Sequence, residues 1–269
     1  MNCISKIKLV SLLVFVFCVP AFAAPTVRLV SSKVNDAIGR RITIVVMTAA
    51  TNETTLGADT EIPETHVLYK FMEDLREDRK LFREVLTAAY YEIPFASLGK
   101  AFTSFGSIDR WFDSNYQEEE DYIKGEEKDY YYVKMFSSDP KLDLNETSQF
   151  ELIGWLAFEN AWKSFKEEWF TEHTTMPRLK DSIYGRQMVL KPEYQDKKLG
   201  TMLAFSIQSV ISTTKNLFCI TRNVNQNAVN KYLGKGFRSS YMHEGYDTSL
   251  YSGFVWSGTP ENLDGWIIK

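Results

Sequence analysis

Cysteine is nearly absent from this 269-residue chain, which carries only Cys3, Cys18 and Cys219. The first two fall in a leading segment expected to be removed, so Cys219 would remain alone and no intramolecular disulfide could form. Cys219 sits in the short apolar run Leu217-Phe218-Cys219-Ile220-Thr221, which reads as a strand with a buried, inert thiol. Histidine is equally scarce. His66, His173 and His243 show neither metal-ligand spacing nor a triad pattern, so no metal enters the reading. Positive charge is not in excess: 31 Lys and Arg stand against 35 Asp and Glu, a net charge of −4. Loss of Lys6 and Lys8 with the leading segment makes it −6. That balance argues against a nucleic-acid partner and mildly favours cationic ligands. Internal repeats and low-complexity segments are also missing.

Residues 1–23 read as a signal peptide. Lys6 and Lys8 form a basic block, Leu9 to Val19 an apolar block, and Ala21-Phe22-Ala23 a small-x-small cleavage site. Pro25 disfavours cleavage one residue later. The apolar run is short for a bilayer span, so the expectation is an exported chain, periplasmic or secreted, without stable membrane insertion. The alternative is an uncleaved membrane anchor. The remainder is long enough for one domain with a sizeable core.

Two β-like runs, Thr26 to Val30 and Arg41 to Thr48, precede a polar loop that ends at Pro63. The second is the expected first strand of the domain, with residues 24–40 as an N-terminal extension and 41–269 as the domain. Apolar residues from Val67 to Leu86 recur at helical spacing, which predicts one long helix from about Thr65 to Tyr91. Residues 104–129 turn acidic and aromatic, with Trp111, Phe112, Tyr116 and the run Glu118-Glu119-Glu120-Asp121. They read as a solvated loop or as an acidic lid that would concentrate a cationic amine. Strands follow at Asp129 to Ser137 and Phe150 to Phe158, then Ile183 to Leu190, and later Arg238 to Glu244 and Leu250 to Trp256. Asn52 and Asn145 fit the glycosylation sequon, for which chance is a sufficient explanation.

The stretch around which these elements are organised is Met188 to Phe237. A strand ends at Leu190, Pro192-Glu193-Tyr194 turns the chain, and a helix opens at about Leu199 with Leu199, Met202, Leu203, Ile207, Val210 and Ile211 on one face. A strand, a turn and a helix N-terminus aimed at one point make an anion site, because the first-turn N–H groups lack helical partners and the macrodipole is positive there. The run Gln195-Asp196-Lys197-Lys198-Leu199-Gly200 resembles the acetyl-CoA pyrophosphate loop of the GNAT N-acetyltransferase superfamily, with Lys198 where the pattern has its first glycine. The run Asn225-Gln226-Asn227-Ala228-Val229-Asn230-Lys231-Tyr232-Leu233-Gly234-Lys235-Gly236-Phe237 is similar to a second signature of that family, with Asn225, Ala228, Tyr232, Gly236 and Phe237 at its defining positions.

The resemblance implies an α/β fold with a central mixed, mostly antiparallel sheet of about seven strands, flanked by helices and splayed around an acetyl-CoA cleft. It implies transfer of an acetyl group from acetyl-CoA to a primary amine of a small molecule or protein. Main-chain groups of Met188 and Leu190 would face the thioester and pantetheine. The N–H groups of Gln195, Asp196, Lys197, Lys198, Leu199, Gly200 and Thr201 would hold the pyrophosphate, and Asn225 the cofactor arm. Tyr232 would be the general acid, since a phenol of pKa about 10 can protonate a departing thiolate. Glu151, Glu159, Asp181 and Tyr184 are open candidates for the base. The alternative function is a catalytically inactive GNAT-like CoA-binding or protein-interaction module.

Overall fold

The aromatic run Tyr130-Tyr131-Tyr132 opens a strand that is buried at every position, and the sheet extends to both sides of it. The computed structural model describes residues 25–48, 61–90, 107, 110, 113–114, 117, 130–144, 149–160, 182–206, 216–222, 229–230, 233–234, 238–240 and 251–256. The leading segment, the two sequons and most of the acidic stretch lie outside them. In chain order the strands are β1 (Thr26–Asn35), β2 (Arg40–Thr48), β3 (Glu61–Ile62), β4 (Tyr130–Ser138), β5 (Glu151–Asn160), β6 (Ser182–Leu190), β7 (Asn216–Arg222), β8 (Arg238–Ser240) and β9 (Tyr251–Trp256). They form one sheet in the order β3-β1-β2-β4-β5-β6-β7-β9-β8. Among the described residues the pairing of β6 with β7 is parallel and the others are antiparallel. The expected mixed, mostly antiparallel sheet is therefore present, with nine strands rather than about seven.

The additional strands come from the N-terminal side. Residues expected to form an extension pair with β2 from Thr26 to Asn35, and β3 adds Glu61 and Ile62 at the far edge. A tight turn closes the β1–β2 hairpin. Asn35 Oδ1 accepts from the N–H of Ala37 at 3.1 Å, and Gly39 takes a φ of +62°, a conformation that glycine adopts without steric cost.

Alternation along the central strands gives the sheet two apolar faces. Ile42, Ile44, Val46, Tyr131, Val133 and Met135 belong to one core, and Val45, Met47, Tyr130, Tyr132 and Phe136 to the other. The first face is covered by α3 (Leu199–Phe205), which buries Leu199 and Leu203 completely. The second is covered by α1 (Val67–Glu73) and α2 (Arg76–Tyr90) through Leu68, Met72, Leu81 and Phe82. The Phe82 ring lies 5.3 Å from that of Trp155. His66 has a structural role, since its Nδ1 accepts from the N–H of Leu68 at 3.0 Å and caps α1. Cys219 is buried, as its apolar run suggested.

The single long helix expected from Thr65 to Tyr91 is instead two. Asp74 leaves helical geometry with φ −82° and ψ 106°. Its carboxylate accepts from the N–H of Arg76 at 3.0 Å, so it starts α2 as a cap. Hydrogen bonds from the Arg76 side chain to Asp74, opposed by burial, hold the Asp74 carboxyl at a pKa of about 2. The carbonyls exposed by the break find a donor in the sheet. Lys134 Nζ, on β4 and 1 % exposed, donates to Phe71 O at 2.6 Å and Asp74 O at 2.8 Å. It also lies 2.9 Å from Asp78 Oδ2, on the first turn of α2. A buried ammonium thus ties the corner between α1 and α2 to the central strand.

Removing one partner of such a pair leaves an uncompensated buried charge, whereas removing both does not. Lys134→Met is expected to lower unfolding free energy by about 3–5 kcal/mol, and adding Asp78→Leu to restore much of the loss. Urea unfolding of the two variants measures this. A single substitution that costs no more than the double one would show that the ion pair does not hold the corner.

Candidate functional site

The parallel junction of the sheet is also where its continuity ends. β6 pairs with β7 only from Ser182 to Gly185, against Asn216 to Cys219, although β6 runs on to Leu190 and β7 to Arg222. The cause lies in β6. On its other side the register with β5 slips between Ala157↔Gln187 and Phe158↔Gly185, so Arg186 is an extra residue. A bulge of this kind bends its strand, and the ladder to β7 stops at the bulge. Beyond it Met188 is 42 % exposed, and its Cε lies 4.0 Å from the point where a Cβ on Gly200 would stand. The free half of β6 and the start of α3 therefore face a common space.

Between them the chain makes a tight turn. Lys191 N–H donates to Ile153 O at 2.8 Å, and Tyr194 and Gln195 donate to Lys191 O and Pro192 O at 3.0 and 3.1 Å. Gln195 Nε2 reaches back to Leu190 O at 3.1 Å, so both the main chain and the side chain of Gln195 serve the turn. Asp196 and Lys198 then adopt φ of 59° and 61°, the two positive values for non-glycine residues among those described. Asp tolerates this region better than most residues, but lysine does so at a cost of about 1–2 kcal/mol. Lys198 thus sits in a left-handed conformation that glycine would adopt without steric cost. Its carbonyl accepts from Thr201 and Met202, both at 3.1 Å. The N–H groups of Lys198, Leu199 and Gly200 donate to no described acceptor, and no side chain caps α3. Lys197 folds back, with Nζ 2.6 Å from Glu193 O and 5.8 Å from the Tyr194 ring centroid. Lys198 is exposed.

Two groups of residues not singled out by sequence as a unit support this turn. Gly154 on β5 lies so close to the end of β6 that a Cβ there would meet Val189 O at 2.7 Å and Leu190 Cδ1 at 2.9 Å. Glu151 binds Lys191 Nζ at 2.7 Å and the Tyr194 hydroxyl at 2.9 Å. The hydroxyl also lies 3.3 Å from Ser137 Oγ, to which Arg40 Nε donates at 3.1 Å. Burial pushes the Glu151 carboxyl up, but the hydrogen bonds from Lys191 and Tyr194 and the charges of Lys191 and Arg40 outweigh it and hold the group below the usual range. A depressed carboxyl contributes stability above its unfolded pKa and loses it as pH falls through the folded value. The signal in the sequence is the pair Lys191 and Tyr194 on either side of Pro192.

The predicted site residues separate accordingly. Met188 stands beside Gly200, and Lys197 and Lys198 are exposed on the turn. Leu190 and Leu199 contribute main chain while their side chains are in the core. Asp196 carries the first positive φ. The N–H groups of Gln195 and Thr201 donate to Pro192 O and Lys198 O, both at 3.1 Å. Of the base candidates, Glu151 braces the turn. Glu159, 5 % exposed, stands opposite Tyr184 where pairing with β7 is about to end, with its Oε2 3.6 Å from Arg186 Nη1. Asp181, Asn225 and Tyr232 lie outside the described residues. Leu233, from the second motif, is 49 % exposed. Among the described residues no group of His, Cys, Asp and Glu has a metal-binding arrangement.

Lys198→Gly should relieve the left-handed strain and raise unfolding free energy by up to about 1 kcal/mol, whereas Lys198→Ala should give no gain. Urea unfolding distinguishes them, and equal behaviour of the two variants would contradict the strained geometry.

No protein-family model matches the chain, and no curated protein sequence does. Among solved structures it is similar to PaiA N-acetyltransferase from Thermoplasma acidophilum in complex with coenzyme A, at 17 % identity and a TM-score of 0.44, covering 68 % of this chain and 92 % of that one. It is also similar to an acetyltransferase from Thermus thermophilus, at 13 % identity and a TM-score of 0.41, covering 67 % and 90 %. A GNAT-family acetyltransferase from Bacillus cereus matches at 14 % identity and a TM-score of 0.33, covering 54 % and 79 %. All are distant. By its own strand order, its bulged parallel junction and the left-handed turn into α3, the chain is an α/β domain built on one mixed, mostly antiparallel sheet.

Proposed function

We propose that this chain is an acyltransferase of the GNAT superfamily that moves an acetyl group from acetyl-CoA to a primary amine. The supporting observation is the conjunction of a parallel strand pair that ends at Gly185 with a turn that stays left-handed although lysine occupies its critical position. Strain of that kind persists where the surrounding structure enforces it, and it clusters at ligand sites. In this reading the coenzyme is the acetyl-donating cosubstrate. Its pyrophosphate is held by the N–H groups of Lys198, Leu199 and Gly200 at the positive end of α3, with the exposed Lys198 ammonium adding charge. Met188 and the free half of β6 border the pantetheine arm, and Asn225 positions it.

Transfer requires a neutral amine, a stabilised oxyanion and a protonated leaving group. The amine nitrogen attacks the thioester carbonyl carbon, the C–S bond breaks as the C–N bond forms, and the nitrogen releases a proton. Main-chain N–H groups at the open edge of β6 are the oxyanion donors in this scheme. Glu159, a buried carboxylate at the level where the strands part, is the group we assign to accept the amine proton, directly or through water. Tyr232 supplies the proton to the departing thiolate. The acceptor is a small-molecule or protein amine, and the acidic balance of the chain favours a cationic one. A second reading, an inactive coenzyme- or protein-binding module, draws on the same lysine at Lys198. Export by residues 1–23 belongs to the proposal on the strength of that segment's charge and apolar blocks. N-terminal sequencing of the exported chain is expected to begin at Ala24, and retention of Met1 would favour the anchor.

Calorimetric titration of residues 24–269 with acetyl-CoA, in wild type and Tyr232→Phe, tests the central reading. Both proteins are expected to bind with Kd in the micromolar range. CoA release in the presence of an amine should be slower by about 10²-fold or more in Tyr232→Phe. Binding without release in either protein would favour the inactive module, and absence of binding would remove the coenzyme from the reading.

A further inference from the structure

Glu159 has to be ionised to accept a proton, yet it is buried, and burial favours the neutral carboxyl. The pairing fixes its surroundings. Residues opposite each other in a ladder share a face, so Glu159 lies with Tyr130 on β4 and Tyr184 on β6. Tyr130 belongs to the core covered by α1 and α2, which puts the carboxylate on that side of the sheet. The described residues of α2 that pack on this core after Asp78 are Leu81, Phe82 and Val85, and they bring no charge. Asp78 itself is paired with Lys134. Lys134 stands opposite Trp155, four residues along β5 from Glu159, a separation of about 13 Å at strand rise. The cation beside Glu159 is Arg186.

Arg186 reaches that face through the bulge. Gln187 pairs with Ala157 and Gly185 with Phe158, so Arg186 is inserted on β6 between the positions opposite Ala157 and Glu159. A regular ladder has no side chain there, because residues two apart are immediate neighbours on one face. Bulges re-aim side chains in this way. Arg186 Nη1 stands 3.6 Å from Glu159 Oε2, and the guanidinium carbon lies 5.8 Å from the centroid of the Tyr130 ring. The ring face attracts the cation, and 3.6 Å is a contact between charges rather than a hydrogen bond. An opposite charge this close favours the ionised carboxyl, which is the form that burial opposes.

We propose that Arg186 is a positioning residue for the transfer reaction, held against Tyr130 so that its charge keeps Glu159 ionised where β6 and β7 part. This rests on Glu159 as the proton acceptor of the proposed acetyl transfer. Arg186 acts through that carboxylate and does not touch the reacting atoms. One inserted residue then has two consequences, since the same bulge that stops the ladder to β7 also supplies the charge that the buried base requires.

Carbon-13 NMR titration of the glutamate carboxyls in the full chain measures the pairing directly, with the Glu159 signal identified by its loss in Glu159→Gln. Arg186→Met is expected to raise the Glu159 midpoint by about 1–2 pH units, and Arg186→Lys, which keeps the charge, to recover part of that rise. The same displacement should appear in the acid limb of kcat/KM for CoA release from acetyl-CoA, with n-butylamine and a lysine-bearing peptide as acceptors. Its sign is upward, because a carboxylate without its cation is protonated at higher pH and stops accepting protons there. An unmoved midpoint in folded Arg186→Met would overturn the pairing. A midpoint that rises while the acid limb stays in place would overturn the positioning role and remove Glu159 as proton acceptor. No CoA release by the wild type with either acceptor would overturn the transfer reading and the positioning role with it, whatever the carboxyl does.

Discussion

A lysine in the middle of a strand covered on both faces sets the condition that the α1–α2 side of this structure has to meet. Lys134 has nowhere to send its charge but into the protein, and an unpaired ammonium at such a site is not sustainable. The break in the helical segment answers that demand. Ending α1 at Glu73 frees carbonyls for two of the lysine donors, and starting α2 at Arg76 brings Asp78 to the third. Helix geometry and sheet are therefore coupled by one side chain.

The opposite face and the far end of β5 and β6 are organised differently. There the ladder is interrupted rather than pinned. An extra residue at Arg186 bends β6, pairing with β7 ends, and main chain that a continuous sheet would occupy becomes accessible. Gly154 allows β5 to follow the end of β6 closely, and Glu151 with Lys191 and Tyr194 clamps the turn that follows. Burial works against both charges of that clamp, yet the hydrogen bond and charge of each partner leave Glu151 lowered and Lys191 raised. The clamp therefore persists across the neutral range, weakening toward acid through Glu151 and toward alkali through Lys191. A strained Lys198 is held on such a support.

Much of this was legible in order. The strands at Tyr130, Glu151, Ser182 and Asn216 lie where alternating or continuous apolar runs predicted them, and α3 begins at Leu199 as its spacing required. The motif around Lys198 also pointed to the turn that the fold uses. The helix break was not legible, because Val67 to Leu86 keeps its apolar period across Asp74 and Leu75. Nothing in local spacing says that a distant ammonium will take the carbonyls there. The bracing role of Glu151 was hidden for a similar reason. A carboxylate at a strand end looks the same whether it faces a reacting amine or a neighbouring lysine.

What the sequence by itself determined is the set of periodic elements and the turn that leads into α3. These depend on neighbours a few residues apart, which the chain order already contains. The tertiary structure alone decided that Lys134 would be buried, that residues 26–35 would extend the sheet, and that β6 would part from β7 at Gly185. Each of those outcomes depends on which strands come to lie side by side and on which polar groups are then left to find partners.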